Sequence, residues 1–232
     1  MFILNERVQG VTDEMIKLYK KISPSTIGHM TELGLINCLR PYQKNFHFVG
    51  NAVTVQLPRV DATAMRKVVD VVKPGDVVCV NTSGEYDRAP LGEMVGLALK
   101  FKGVAGVIID GAICDLQSIQ NMGLKICCRG ISAMTTRIIG SEGWINVPIA
   151  IDNVVIKPGD LVVADDDGIY VVDPKYAMQV GQEALDRQKK EPAVIKRIGA
   201  GESLAQINDL DKYFFPEAEK KEEAPKEAPA AK

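Results

Sequence analysis

Gly106-Val107-Ile108-Ile109-Asp110-Gly111-Ala112-Ile113-Cys114-Asp115 is the stretch that decides the fold. Its first five residues are short and largely apolar, as in a strand buried on both faces of a parallel sheet. A glycine-containing loop follows, and Asp115 to Met122 has the pattern of a helix that ends at Gly123. Upstream, Pro90 to Lys102 suits a helix, with Pro90 tolerated in its first turn. Downstream, Lys125-Ile126-Cys127-Cys128 reads as another strand. Strands alternating with helices predict an α/β layered fold.

The same grammar extends outward. Thr12 is placed to cap a helix whose apolar positions are Val11, Met15, Ile16, Leu18, Tyr19 and Ile22. A second helix is expected over 25–35, a strand over 48–57 and a helix over 61–72. Lys73-Pro74-Gly75-Asp76 and Lys157-Pro158-Gly159-Asp160 are one word used twice, each launching an apolar strand. Proline fixes φ and glycine accepts positive φ, so both predict a tight turn. Asp165-Asp166-Asp167-Gly168 predicts a hairpin turn between 161–163 and 169–172. A charged helical pattern spans 178–198, and Pro192 should break or kink it. Residues 1–216 are expected to form one domain. Residues 217–232 contain only Ala, Glu, Lys and Pro and are expected to be a disordered charged tail.

Composition excludes several classes. The 232 residues are 46% hydrophobic and 25% charged with a net charge of -2, so neither a nucleic-acid binder nor an anionic-membrane binder is indicated. No apolar run approaches the ~18 residues of a membrane span. The N-terminus carries no basic region ahead of a long apolar stretch. Five cysteines without CxxC spacing fit a reducing cytoplasm and argue against a cysteine zinc site.

Chemistry gathers around two acids. Glu93 stands at the start of the 90–102 helix, and twenty residues separate it from the pair Cys114-Asp115. Amides at a helix start bind carboxylate or phosphate, so Gly92, Glu93, Met94 and Val95 could hold a substrate carboxylate; an ordinary capped loop is the alternative. Asp115 lies where ligands collect on α/β sheets and could hold Mg²⁺ through one carboxylate, or could simply cap its own helix. Cys114 reads as an inert thiol, since neither His29 nor His47 is placed to act as its base.

Val49-Gly50-Asn51-Ala52-Val53-Thr54-Val55, Pro74-Gly75-Asp76-Val77-Val78, Ala89 to Glu93, Gly106 to Asp115, and Pro158-Gly159-Asp160 with Asp165 to Gly168 occur in that order. Together they resemble the RraA-like family over roughly residues 25–208. That family includes 4-hydroxy-4-methyl-2-oxoglutarate aldolases and RraA regulators of ribonuclease E. The resemblance implies a swivelling β/β/α three-layer fold and a homotrimer or homohexamer. It implies Mg²⁺ or Mn²⁺ on Asp115 and a small α-keto acid substrate. It also places Glu93 as the first acid and Glu191 as an acid supplied by a neighbouring subunit. The aldolases carry arginine where this chain has Cys114. Arg88 could bring charge from another direction, or could be structural. The implied activity is a metal-dependent lyase of the pyruvate aldolase type, with oxaloacetate decarboxylation as a possible second outcome of the same enolate chemistry. The alternative is an inactive RraA-like regulator that binds a protein. The regulators can keep the arginine and lose the aspartate, and this chain keeps the aspartate.

Overall fold

A computed structural model describes residues 1–215; the expected tail at 217–232 lies outside the described residues. The strands are β1 (Phe2–Leu4), β2 (Leu35–Ile36), β3 (Arg40–Pro41), β4 (His47–Gln56), β5 (Asp76–Asn81), β6 (Gly106–Ile113), β7 (Ile126–Ile131), β8 (Gly143–Ile145), β9 (Ile149–Ile151), β10 (Val154–Ile156), β11 (Leu161–Asp165) and β12 (Ile169–Val172). The helices are α1 (Asp13–Tyr19), α2 (Pro24–Gly28), α3 (Thr63–Lys67), α4 (Glu93–Phe101), α5 (Leu116–Met122), α6 (Pro174–Gln188), α7 (Glu191–Gly199), α8 (Leu204–Ile207) and α9 (Asp211–Phe214). The chain divides into two compact units, one ending at Leu185 and one starting at Asp186.

In the first unit, β4, β5, β6 and β7 are parallel neighbours at the centre of a ten-stranded sheet ordered β2-β12-β11-β4-β5-β6-β7-β3. β11, β12, β2 and β3 join antiparallel, and β8 pairs with the last residues of β4 and with β1. Alternation along β4 assigns the two faces. Val53 and Val55 pack with Met65, Val95, Leu99 and Ile119 from α3, α4 and α5. Val49, on the same face, meets Tyr19, Ile27 and Ala177 from α1, α2 and α6. Phe48 and Ala52 point the other way, onto Ile149, Ile151 and Ile156 of the antiparallel β9–β10 pair. The result is three layers, a two-stranded sheet, a large sheet and helices, which is the expected swivelling β/β/α arrangement.

Both Lys-Pro-Gly-Asp words form the same turn. Gly75 and Gly159 have φ of 87° and 92°, and the aspartate amide donates back to the lysine carbonyl at 3.1 and 3.0 Å. Each aspartate carboxylate accepts the lysine amide in return, at 2.8 and 2.7 Å. The two then diverge. Asp76 is buried and bidentate to Arg7 at 2.7 and 2.5 Å, which ties the N-terminal arm to the sheet. Lys157 lies at the surface and pairs with Asp173 at 2.6 Å.

Local expectations hold in part. Thr12 caps α1 by accepting the Met15 amide, and Gly123 ends α5 in the left-handed region. The 165–168 turn closes through Asp165 N–H to the Gly168 carbonyl at 3.1 Å. The helix expected over 25–35 stops at Gly28. Gly34, at φ 88°, carries the chain into β2, and a Cβ there would strike the Val171 carbonyl. The helix expected over 61–72 is α3 followed by a 3-10 turn at Val68–Asp70. The charged helical pattern over 178–198 breaks near Pro192 as expected: α6 ends at Gln188, and α7 begins at Glu191 with Pro192 in its first turn.

Candidate active site

The parallel strands end together, and the chain turns twice at that edge. After β5, residues 82–92 form a loop that leads into α4. Ala89 is held through its amide to the Met134 carbonyl at 2.8 Å, and its own carbonyl accepts the Thr136 amide at 3.2 Å. Leu91 bridges Ile113 at the end of β6. After β6, Cys114 N–H donates to the Leu91 carbonyl at 3.0 Å, and Asp115 turns the chain into α5 with φ 54° and ψ 41°. A non-glycine residue there is uncommon, and aspartate is among the residues that tolerate it.

Asp115 occupies the cap position of α5, yet its side chain does not cap that helix. Its Oδ2 accepts the Glu93 amide at 2.9 Å, the first amide of α4, whose own cap residue, Gly92, has no side chain. The carboxylate therefore satisfies an orphan donor of the neighbouring helix and lies at its positive end. Gly92 makes this possible. Its backbone is extended, so conformation does not demand glycine. A Cβ there would come within 3.0 Å of both Asp115 Oδ2 and Cys114 Sγ, closer than real Cβ atoms come.

Cys114 is half-buried, and its thiol donates to Asp115 Oδ2 at 3.4 Å and to the Leu91 carbonyl at 3.7 Å. Burial, then the hydrogen bond and negative charge of Asp115, push the thiol up to about 11. It stays protonated at neutral pH, as an inert thiol would, and acts as a donor to the carboxylate.

The structure brings Gly92, Glu93, Cys114 and Asp115 into one cluster. Glu93, Met94 and Asp115 are exposed, while the Val95 side chain is in the core, so only its backbone can serve a ligand. Of the amides expected to receive a substrate carboxylate, that of Glu93 is already bound to Asp115. Arg88 donates to the Thr135 carbonyl at 3.2 Å and lies 3.7 Å from Glu85, contacts that pin the 82–92 loop. Glu191 is exposed at the first position of α7, in the second unit.

Other residues at this edge were not singled out from the sequence. Asp110, buried inside β6, accepts Arg129 Nε from β7 at 2.5 Å, and Tyr86 stacks on that guanidinium at 3.9 Å. A charged residue within an apolar run was the available clue. Asp61, buried, accepts from Thr63 through both amide and hydroxyl, from Ser141 through both, and from the Ile139 and Glu142 amides. Burial alone would raise its pKa; these bonds outweigh it and hold the carboxyl far below the usual range.

Among the described residues no group of three or more His, Cys, Asp or Glu is arranged to hold a metal ion. Asp115 still fits one kind of cation. Its Oδ1 accepts no hydrogen bond among the described residues, it is exposed, and it is a hard oxygen donor. Mg²⁺ is commonly bound through one or two carboxylates while keeping several waters.

The two-stranded sheet, the large mostly parallel sheet and the helical layer define an α/β protein of the swivelling β/β/α class. The chain belongs to the RraA-like family, whose model, described as Aldolase/RraA, matches residues 13–171. A protein of Halalkalibacterium halodurans named "Putative 4-hydroxy-4-methyl-2-oxoglutarate aldolase" is 36% identical over 159 residues, covering 68% of this chain and 75% of that protein. The crystal structure of Streptomyces coelicolor RraAS2, titled an unusual member of the RNase ES inhibitor RraA protein family, aligns with TM-score 0.70 and 30% identity over 79% of this chain and 96% of that one. A Pseudomonas syringae pv. tomato protein aligns with TM-score 0.76 and 25% identity over 89% and 97%. Among the described residues no helix is long and apolar enough to cross a membrane.

Proposed function

We propose that this protein is a divalent-metal-dependent carbon–carbon lyase of the pyruvate aldolase type. Its substrates are α-keto acids such as 4-hydroxy-4-methyl-2-oxoglutarate, and its cation is Mg²⁺ or Mn²⁺. The observation that carries this reading is the Asp115 carboxylate, fixed by the Glu93 amide with one oxygen left open at the strand ends. The aldolase name of the Halalkalibacterium relative supports it. A cation on Asp115 would supply Lewis-acid polarisation of the substrate carbonyl.

The chain's own groups do the rest. The amides of Met94 and Val95 at the start of α4 hold the substrate carboxylate. Glu93, exposed beside Asp115, orients water, takes the proton from the C4 hydroxyl as the C3–C4 bond breaks, and returns it to C3 to complete the second pyruvate. Cys114 keeps Asp115 in place by donating to it. Glu191 of a neighbouring copy completes the site in a closed ring of subunits, a trimer or a hexamer. Oxaloacetate decarboxylation follows from the same enolate chemistry.

A second reading is a regulator that binds a protein partner without turnover, and the likeness to RraAS2 favours it. Paramagnetic titration with Mn²⁺ separates the two. The lyase reading expects wild-type protein to bind Mn²⁺ and Asp115→Ala to lose it. Absence of binding at millimolar Mn²⁺ would favour the regulator.

A further inference from the structure

We propose that a corner of the sheet walled by Trp144 and Glu142 is a receptor for a primary alkylammonium group, as carried by a free amine or a lysine side chain. The corner is a cavity of about 140 Å³ lined by Gln56, Pro58, Ser83, Glu142, Gly143 and Trp144. Gln56 ends β4, and Trp144 of β8 is its direct antiparallel partner, so the two side chains share one face of the sheet. Val55, the neighbour of Gln56 on β4, packs with the helices. Gln56 and Trp144 therefore lie on the face opposite α4 and α5, and the proposal is independent of the lyase reading. The volume suits the end of a side chain or a small head group, well below that of a pocket for a whole ligand.

The polar groups of this corner are oriented so that acceptors are left over. The Asn81 side-chain amide donates to the Ala150 carbonyl, which leaves its Oδ1 to accept. Gln56 Nε2 then spends both of its N–H groups, on Asn81 Oδ1 at 2.9 Å and on Ser83 Oγ at 2.8 Å. The Ser83 hydroxyl donates onward to the Leu57 carbonyl at 2.7 Å, and the Ser83 amide to Asn81 Oδ1 at 2.6 Å. Pro58 has no N–H to give. Gln56 Oε1 accepts no hydrogen bond among the described residues. The Glu142 carboxylate, half exposed, is paired among them only loosely, with the Met1 ammonium at 3.9 Å. Two unspent acceptors, one of them charged, call for a cationic donor. Trp144 supplies the third element. It is the chain's single tryptophan and is 38% exposed, and an indole is the best aromatic partner for a cation. A quaternary ammonium would use the indole and the carboxylate but could not donate to Gln56 Oε1, so the geometry favours a primary group.

With a single tryptophan in the chain, its fluorescence reports this corner directly. n-Butylammonium chloride, titrated into the full-length protein at constant ionic strength, should shift that emission saturably with a Kd of about 1–10 mM, the range for one cation–π contact beside one exposed carboxylate. 1-Butanol, the same shape without the charge, should bind at least about tenfold more weakly, and tetramethylammonium at least about threefold more weakly. Glu142→Gln should weaken butylammonium by about three- to tenfold. Variants of Trp144 are read by saturation-transfer NMR on the ligand, with a thermal melt to show that each is folded. Trp144→Phe should keep weakened binding, and Trp144→Leu should lose it. Nα-acetyl-lysine methylamide bound as tightly as butylammonium assigns the occupant to a protein side chain, whereas butylammonium bound alone assigns it to a free amine. No saturation by about 100 mM butylammonium, equal affinity for 1-butanol or tetramethylammonium, or unchanged affinity in Glu142→Gln or Trp144→Leu would overturn the proposal.

Discussion

Gly92→Ala is the smallest change that tests how the site is built. The backbone at Gly92 has φ -136° and ψ -158°, which alanine adopts without strain, so any effect must come from the added methyl. That methyl meets Asp115 Oδ2 and Cys114 Sγ, and both must move. Overpacking of this kind costs about 1–3 kcal/mol. Moving Asp115 also stretches its charge-assisted bond from the Glu93 amide, itself worth about 1.5–3 kcal/mol. Part of this is recovered because the exposed carboxylate can turn to water, so a total near 2–3 kcal/mol is expected. At about 2–4 °C per kcal/mol for a chain of this size, the melting temperature should fall by roughly 4–12 °C. Mn²⁺ affinity should fall at least about tenfold, since the carboxylate loses its fixed direction. Differential scanning calorimetry and Mn²⁺ titration read the two effects. A variant that melts and binds Mn²⁺ like wild type would refute the claim that Gly92 sets the position of Asp115.

Other consequences follow from the same contacts. Asp61→Asn should destabilise the protein by about 3 kcal/mol at neutral pH in urea unfolding, because an amide nitrogen replaces an oxygen that faces the Ser141 and Glu142 donors. The Asp61 carboxyl is depressed in the folded state, so its contribution is complete above its unfolded value near 3.9 and is lost as pH falls below that. The gap between wild type and Asp61→Asn should therefore stay constant down to about pH 4 and shrink only below it. Arg7→Met strands the buried Asp76 carboxylate and should cost about 3–5 kcal/mol, whereas Lys157→Met at the matching, exposed turn should cost under about 1 kcal/mol. With its thiol pushed up to about 11, Cys114 is ionised only to about 0.1% at pH 8. Its alkylation by iodoacetamide, mapped by mass spectrometry, should be at least about a hundredfold slower than that of a free thiol and rise about tenfold per pH unit; fast labelling at pH 7 would contradict the protonated assignment.

The fold was legible where one physical signal dominated. Continuous apolar runs marked β5 and β6, and proline followed by glycine marked the two turns. The short edge pieces β1, β2, β3, β8, β9 and β10 left no periodicity to read, being two or three residues long and placed by long-range pairing. The 25–35 stretch shows tertiary structure overriding local pattern, since β12 recruits Leu35 and Ile36 as a strand. In the site, spacing brought Glu93 and Asp115 to attention. It could not show that the Asp115 side chain serves the start of α4 and leaves α5 uncapped, because that depends on Gly92 allowing close approach. The Asp110–Arg129–Tyr86 group was hidden because it joins two strands and a loop far apart in sequence.

The measurement that bears most directly on the account is pyruvate release from 4-hydroxy-4-methyl-2-oxoglutarate with Mn²⁺ or Mg²⁺, comparing wild type with Asp115→Ala. The account predicts release by wild type that stops on chelation and is lost in Asp115→Ala while the variant remains folded. Release that persists undiminished in Asp115→Ala, or none from wild type with either metal across several α-keto acids, would contradict it.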